Sequence, residues 1–166
     1  MADSIPLGRG KGMTEAERDD FLRTSRAFVK VATIGEDGWP MVNPVWYTYE
    51  DGLFYVITKP NASFCRNLRR DFRTTLLIDN PEVPYKRVLV RGEAEFLSDV
   101  DWHERGREMV LRYLGETGFG YYDATSDLPR ETILIRPISM STWNGGGIDR
   151  TFFELAKWRP TGESPA

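Results

Sequence analysis

An Asp51-Gly52 pair stands between two β-rich runs, Met41–Tyr49 and Leu53–Thr58. Gly accepts the positive φ of a tight two-residue turn, so this pattern predicts a β-hairpin. A second signal of the same kind, Asp37-Gly38, follows a β-rich run at Ala27–Ile34. Three strands joined by two such turns predict an antiparallel meander. A sheet of this kind must close on itself or be covered, because open edges recruit foreign strands.

The rest of the chain extends the β pattern. Thr74–Asp79 and Arg87–Phe96 read as strands, separated by a loop at Asn80–Pro84 whose two prolines remove ladder donors. Gly92 inside the second marks an expected bulge or barrel bend. Thr132–Arg136 and Ile138–Trp143 complete the sheet around an expected break at Pro137. Helices are few. Thr14 followed three residues on by Glu17 matches a capping box, starting a helix that runs to about Thr24. Ser98–Asp101 is expected to open a longer helix that stops at Gly115. Glu116–Gly118 reads as loop, and Phe119–Pro129 shows no clear period. The strands do not alternate regularly with helices, as a parallel βαβ sheet would require, so a barrel is the better fit. Six or seven antiparallel strands therefore predict a mainly β fold, a closed or split barrel, over residues 13–143. Residues 1–12 read as a flexible leader and 144–166 as a loop and tail.

Between the second hairpin and Thr74 lies the most informative polar stretch. Lys59–Ser63 breaks the strand, and Phe64 to about Arg73 reads as a short helix with Asn61 or Ser63 as its expected cap. Arg66, Arg69, Arg70 and Arg73 recur at helical spacings and are expected to share one face. A positive face near a helix N-terminus suits an anion. A solvated basic face on an ordinary helix is the competing reading of the same residues.

Composition removes several classes of function. A net charge of −3 leaves no basic footprint for nucleic acid. The single Cys65 cannot form an intrachain disulfide, and no apolar run reaches the ~18 residues of a membrane span, so a cytoplasmic protein is expected. His103 is the only histidine and falls on the polar side of the long helix, so zinc and Cys–His sites lack ligands. Cys65 is expected to be a quiet, partly buried thiol. Gly145-Gly146-Gly147 matches neither the dinucleotide fingerprint nor the Walker pattern. Aromatics make up 13% of the chain, which favours strands, an aromatic interface or a pocket for a planar ligand.

Asn43-Pro44-Val45-Trp46-Tyr47, then Val56-Ile57-Thr58, then Arg66-Asn67-Leu68-Arg69-Arg70-Asp71-Phe72-Arg73 resembles the pyridoxamine 5′-phosphate oxidase-like split-β-barrel flavoproteins. The resemblance spans about Phe21 to Trp143 and is nearest to the branch that uses a deazaflavin coenzyme in place of FMN. It implies an antiparallel split β-barrel, a homodimer, and cofactor sites at the subunit interface. It also implies an oxidoreductase that uses FMN or an 8-hydroxy-5-deazaflavin coenzyme to move hydride to or from a small conjugated organic substrate. In that arrangement Asn43, Pro44 and Val45 lie along the ring, and Ile57 and Thr58 near the ring and ribityl chain. Ser63, Arg66 and Asn67 face the phosphate, while Lys59, Arg69 and Arg70 attract a longer anionic tail. Trp143, Asn144 and Arg150 approach the other subunit's cofactor. Relatives carry Arg or Lys where this chain has Ala62 and Phe64, so two phosphate contacts are missing. A redox cofactor carries the chemistry in its own ring, which explains the lack of an acid–base couple in the sequence. Two rival readings remain: a non-catalytic binder of flavin, haem or another planar ligand, and a cofactor-independent enzyme on the same barrel.

Overall fold

Strand alternation sets the core. In the computed structural model, which describes residues 12–82, 85–98 and 101–145, β1 (Val29–Ile34) buries Val29, Val31 and Thr33 and turns Lys30, Ala32 and Ile34 outward. The same period runs through β5 (Arg73–Asn80), which buries Thr74, Leu76 and Ile78. In β6 (Lys86–Leu97) it buries Val88, Val90 and Gly92. These side chains meet Phe54 and Val56 of β4 (Leu53–Thr58) and Ile133 and Ile135 of β7 (Glu131–Asn144) in one core. The leader as far as Lys11, Arg150, and the tail from 146 onward lie outside the described residues, as does Asp99 in the expected helix start.

The seven strands form one antiparallel sheet in the order β2-β1-β5-β6-β7-β4-β3, with β2 at Pro40–Val45 and β3 at Thr48–Glu50. The run expected as one strand from Met41 to Tyr49 is thus two strands on opposite edges of the sheet. Only Trp46 and Tyr47 separate them, and three peptide steps span at most ~11 Å. The sheet must therefore curl until its edges almost meet, leaving a split that this short crossover bridges. The expected meander is interrupted at the same place, because β2 pairs with β1 and β3 pairs with β4. Tyr47 explains the break. Its side chain is fully buried and its hydroxyl donates to Leu22 O at 2.9 Å, turning the chain inward where a strand would continue.

Both Asp-Gly turns form. Asp51 and Gly52 take φ of 49° and 80°, and Gly38 takes 83°, the left-handed values the turns require. The bulge expected at Gly92 falls instead on the facing strand: Arg91 pairs with Ser139 and Gly92 with Pro137, so β7 carries the extra residue, Ile138, and Gly92 sits opposite the irregularity. Pro137 therefore does not end the strand as expected. The bulge tolerates the missing donor, and β7 runs unbroken.

α1 (Glu15–Thr24) carries the expected capping box, with Thr14 and Glu17 satisfying each other's backbone N–H. It seals one part of the barrel with Phe21 and Leu22. α2 spans Ser63–Arg70, shorter than expected. Arg73 belongs to β5 and pairs with Asp71, so it leaves the shared arginine face. Neither Asn61 nor Ser63 caps α2, since the cap position is Ala62 and makes no side-chain bond. α3 (His103–Leu114) begins later than expected, with Asp101 Oδ1 accepting from His103 N at 2.9 Å, and stops at Gly115 with φ 71°. Glu116–Gly118 forms a 3₁₀ turn. The aperiodic stretch after it contains α4 (Phe119–Thr125), unforeseen because only Tyr122 among its residues is buried and no apolar stripe marks it.

Candidate functional site: the split beside the second helix

The split is lined on one side by edge strand β2 and on the other by the end of β4 and the turn into α2. β2 bonds β1 on one side only, so alternate backbone N–H and C=O groups point away from the sheet. Pro44 is exposed, Val45 is half-buried against the core, and Asn43 is half-buried. The Asn43 Oδ1 atom is buried with no hydrogen-bond partner among the described residues. A buried acceptor left unpaired costs about 1–3 kcal/mol, so it is poised for a donor. Across the split, Trp46 and Ile57 line one cavity, which brings the end of β2 against β4. Thr58 pairs with Glu131 at the start of β7.

From Thr58 the chain turns through Lys59–Ala62, with Ala62 N donating to Lys59 O at 3.1 Å. α2 then starts without a side-chain cap, so its first N–H groups keep their positive end toward this turn. Two arginines fold back over it. Arg66 donates to Asn61 O at 2.9 Å and Arg69 to Pro60 O at 3.4 Å. Lys59 is exposed beside them and Ser63 is half-buried at the first helical position. Positive charge therefore concentrates around Lys59–Ser63.

Other residues expected here are engaged elsewhere. Asn67 is buried, and its amide nitrogen donates to Thr33 Oγ1 at 3.0 Å and approaches Met41 Sδ at 3.4 Å. Those contacts fix α2 beside β1 and β2 and leave only the amide oxygen for any ligand. Arg69 also pairs with Glu131 and lies 4.5 Å over the Phe96 ring, so its charge is largely neutralised. Arg70 donates to Ile34 O on the other flank of α2. Phe64 is 3% exposed and packs in the core, so the missing basic residue at 64 falls on a packing position. Cys65 is fully buried, and burial, helped by the nearby Glu131 carboxylate, pushes its thiol up to about 11. It is no nucleophile at neutral pH.

Trp143 and Asn144 stand far from this cluster within one chain. β7 has 14 residues, about 40 Å along the strand, with Glu131 next to Thr58 at one end and Asn144 paired with Lys86 at the other. Trp143 lies 5.9 Å from the Arg87 guanidinium. His103 is exposed and its Nδ1 lies 2.8 Å from the Tyr122 hydroxyl, away from the split. Among the described residues no group of His, Cys, Asp and Glu is placed to hold a metal, and no helix is long and apolar enough to cross a membrane.

Sequence reading missed Glu131, whose partner Arg69 is 62 positions away. It also missed Trp46 as a lining residue of the split, although Trp46 directly follows Val45 in the quoted motif.

The sequence profile of pyridoxamine 5′-phosphate oxidase matches residues 14–144. A conserved hypothetical protein of Mycobacterium tuberculosis superposes with a TM-score of 0.69 at 26% identity, covering 96% of this chain and 96% of that one. A protein described as an F420 reductase superposes at 0.57 and 21% identity, over 74% of this chain and 94% of its own. The haem storage protein HutZ of Vibrio cholerae does so at 0.61 and 20% identity, over 81% and 96%. No curated protein sequence matches the chain. The curled antiparallel sheet, its bridged split and the matched profile together make the chain a member of the pyridoxamine 5′-phosphate oxidase-like split-barrel family.

Proposed function

We propose that the chain is an oxidoreductase that holds FMN or an 8-hydroxy-5-deazaflavin coenzyme in the split and serves a small conjugated substrate. The observation that carries this reading is the pairing of two features across one gap. On the β2 side, Asn43 Oδ1 is a buried acceptor without a donor, and the pyrimidine edge of a flavin or deazaflavin ring offers an N–H. On the α2 side, an uncapped helix start is flanked by Lys59, Ser63 and Arg66, a fit for phosphate. The coenzyme supplies hydride chemistry in its ring when bound.

The chain's own residues position and exclude. Asn43 and the open backbone edge of Pro44 and Val45 set the ring's register, and Ile57 and Thr58 hold water back from its other margin. Ser63 and Arg66 take the phosphate. Lys59 and Arg66 are the cations best placed for a longer anionic tail. Arg69 and Arg70 contribute less, being held by Glu131 and Ile34. The remoteness of Trp143 and Asn144 from the split in one chain supports a homodimer in which a second copy brings them, with Arg150, to the site.

A non-catalytic carrier on the same barrel is the second reading, favoured by the absence of a basic side chain at Ala62 and by the fold's likeness to a haem storage protein. Titration of the purified protein with FMN, the deazaflavin coenzyme and haem separates the readings. The expected result is saturable binding of FMN or the deazaflavin. Arg66→Ala should weaken that binding at least tenfold, the effect of one charge-assisted contact of about 1.5–3 kcal/mol. Turnover with quinones or enones then marks the oxidoreductase, and binding without turnover marks the carrier. If neither redox coenzyme saturates, the oxidoreductase reading is wrong. Turnover by the stripped protein would instead reveal a cofactor-independent enzyme.

A further inference from the structure

Beside the split, between β4, α3 and α4, lies an aromatic slot of about 80 Å³ lined by Trp46, Ile57, Trp102, Tyr121 and Arg130 among others. Its walls are rigid. Trp46 stacks on Tyr113 at 5.1 Å with an interplanar angle of 3°, and the Tyr121 ring stands edge-on to it at 6.3 Å. Trp102 lies against Gly106, where an added Cβ would meet its ring at 2.8 Å. Tyr121 is half-exposed on the rim, so the slot opens to solvent. An apolar cavity of ~150 Å³ takes up benzene whole, so this smaller, open slot suits one flat ring seated partly in the mouth.

Three of its polar side chains donate through nitrogen and meet no acceptor among the described residues, and their N–H groups stay open to solvent at the mouth. Arg130 is half-buried, lies 6.0 Å from the Trp102 ring, and forms no ion pair with any described residue. The indole N–H groups of Trp46 and Trp102 likewise bond to no described residue. The Tyr122 hydroxyl is occupied by His103 at 2.8 Å, and Thr125 donates to Tyr121 O at 2.9 Å. The Arg130 guanidinium is not sealed from water, so it stands at the mouth free to pair with an incoming anion. Flat apolar walls with unmatched donors at one end complement a planar ring that ends in an anion.

We propose that this slot binds a single-ring conjugated carboxylate, its ring among Trp46, Trp102 and Tyr121 and its carboxylate on Arg130. The slot shares Trp46 and Ile57 with the lining of the split, but its test does not need the coenzyme and is run on protein with none added.

Benzoate, benzamide and acetate are titrated into ¹⁵N-labelled protein, and the indole N–H resonances are followed. With benzoate, the Trp46 and Trp102 signals shift saturably, while that of Trp39, 73% exposed on the β1–β2 hairpin, stays fixed. Benzamide, with the same ring and no charge, binds about tenfold more weakly or worse. Acetate, with the charge and no ring, gives no saturable shift. Arg130→Gln brings benzoate down to the benzamide level, and Arg130→Lys keeps part of the preference. Equal binding of benzoate and benzamide, the same shifts from acetate, no saturable shift at all, or a preference that survives in Arg130→Gln each overturns the proposal. Should Arg130→Gln lose its dispersed spectrum, the ligand comparison on the wild type and the Arg130→Lys variant decides. Failure of the coenzyme titration leaves this outcome untouched, and the reverse holds too.

Discussion

Cys65 and its neighbours in α2 show how position decides chemistry for side chains of reactive type. The thiol is fully buried, with its sulfur 3.8 Å from Lys59 O, and burial raises it to about 11 from its ordinary value near 9. The protonated form is therefore the folded one. The associated stability is complete below pH 9 and fades as pH rises through about 11. A thiol-specific reagent at pH 8 should label Cys65 only at the rate of unfolding, and rapid labelling of the native protein would contradict this burial. Asn67 and Phe64 follow the same logic. Each looked like a ligand position by its place in the motif, and each spends its side chain, wholly or in part, on the interior.

Arg112 is the residue that joins elements. Its guanidinium donates to Leu22 O at 2.8 Å and Tyr47 O at 3.2 Å, reaches Ser25 O, and lies 4.5 Å over the Tyr47 ring. It thereby closes the C-terminal carbonyls of α1, pins the β2–β3 crossover and ties both to α3. Arg112→Met takes the guanidinium donors from Ser25 O and Tyr47 O, leaving Leu22 O only the Tyr47 hydroxyl, and should cost about 2–4 kcal/mol in urea unfolding. Arg112→Lys should recover only part, since one ammonium cannot span the fork. A loss under about 0.5 kcal/mol, the size of an ordinary surface change, would refute the clamp. Because the crossover borders the split, Arg112→Met should also weaken coenzyme binding under the proposed function, although Arg112 touches no ligand.

For the whole molecule, the proposed homodimer predicts that one chain alone holds an incomplete site. Val42, Leu89 and Ile138 stay exposed on β2, β6 and β7 at 59%, 37% and 68%, apolar surface for a second copy to cover. Sedimentation of the wild type should give a dimer, and Leu89→Asp combined with Ile138→Asp a monomer with weakened coenzyme binding. A monomeric variant that binds as tightly as the wild type would remove the second copy's role. Sequence patterning exposed much of this architecture: the strands expected at Ala27–Ile34, Thr74–Asp79 and Arg87–Phe96 form as β1, β5 and β6, whose Val29, Val31, Leu76, Ile78, Val88 and Val90 fall in the core. It could not show that the run from Met41 to Tyr49 changes partners at Trp46, because both halves carry the same β propensity. Nor could it show α4, which buries almost nothing.

Local chemistry alone fixed the hairpin turns at Asp37-Gly38 and Asp51-Gly52 and the Thr14 capping box, since each depends on groups a few bonds apart. The β-rich runs between these signals likewise gave a mainly β fold. Only the folded chain decided which arginines remain available to a ligand, because Arg69 meets Glu131 and Arg70 meets Ile34 O across separations of 62 and 36 positions. Charge can be read from a sequence, but its neutralisation depends on distance in space, and that is set when the sheet curls and brings β7 and β1 against α2.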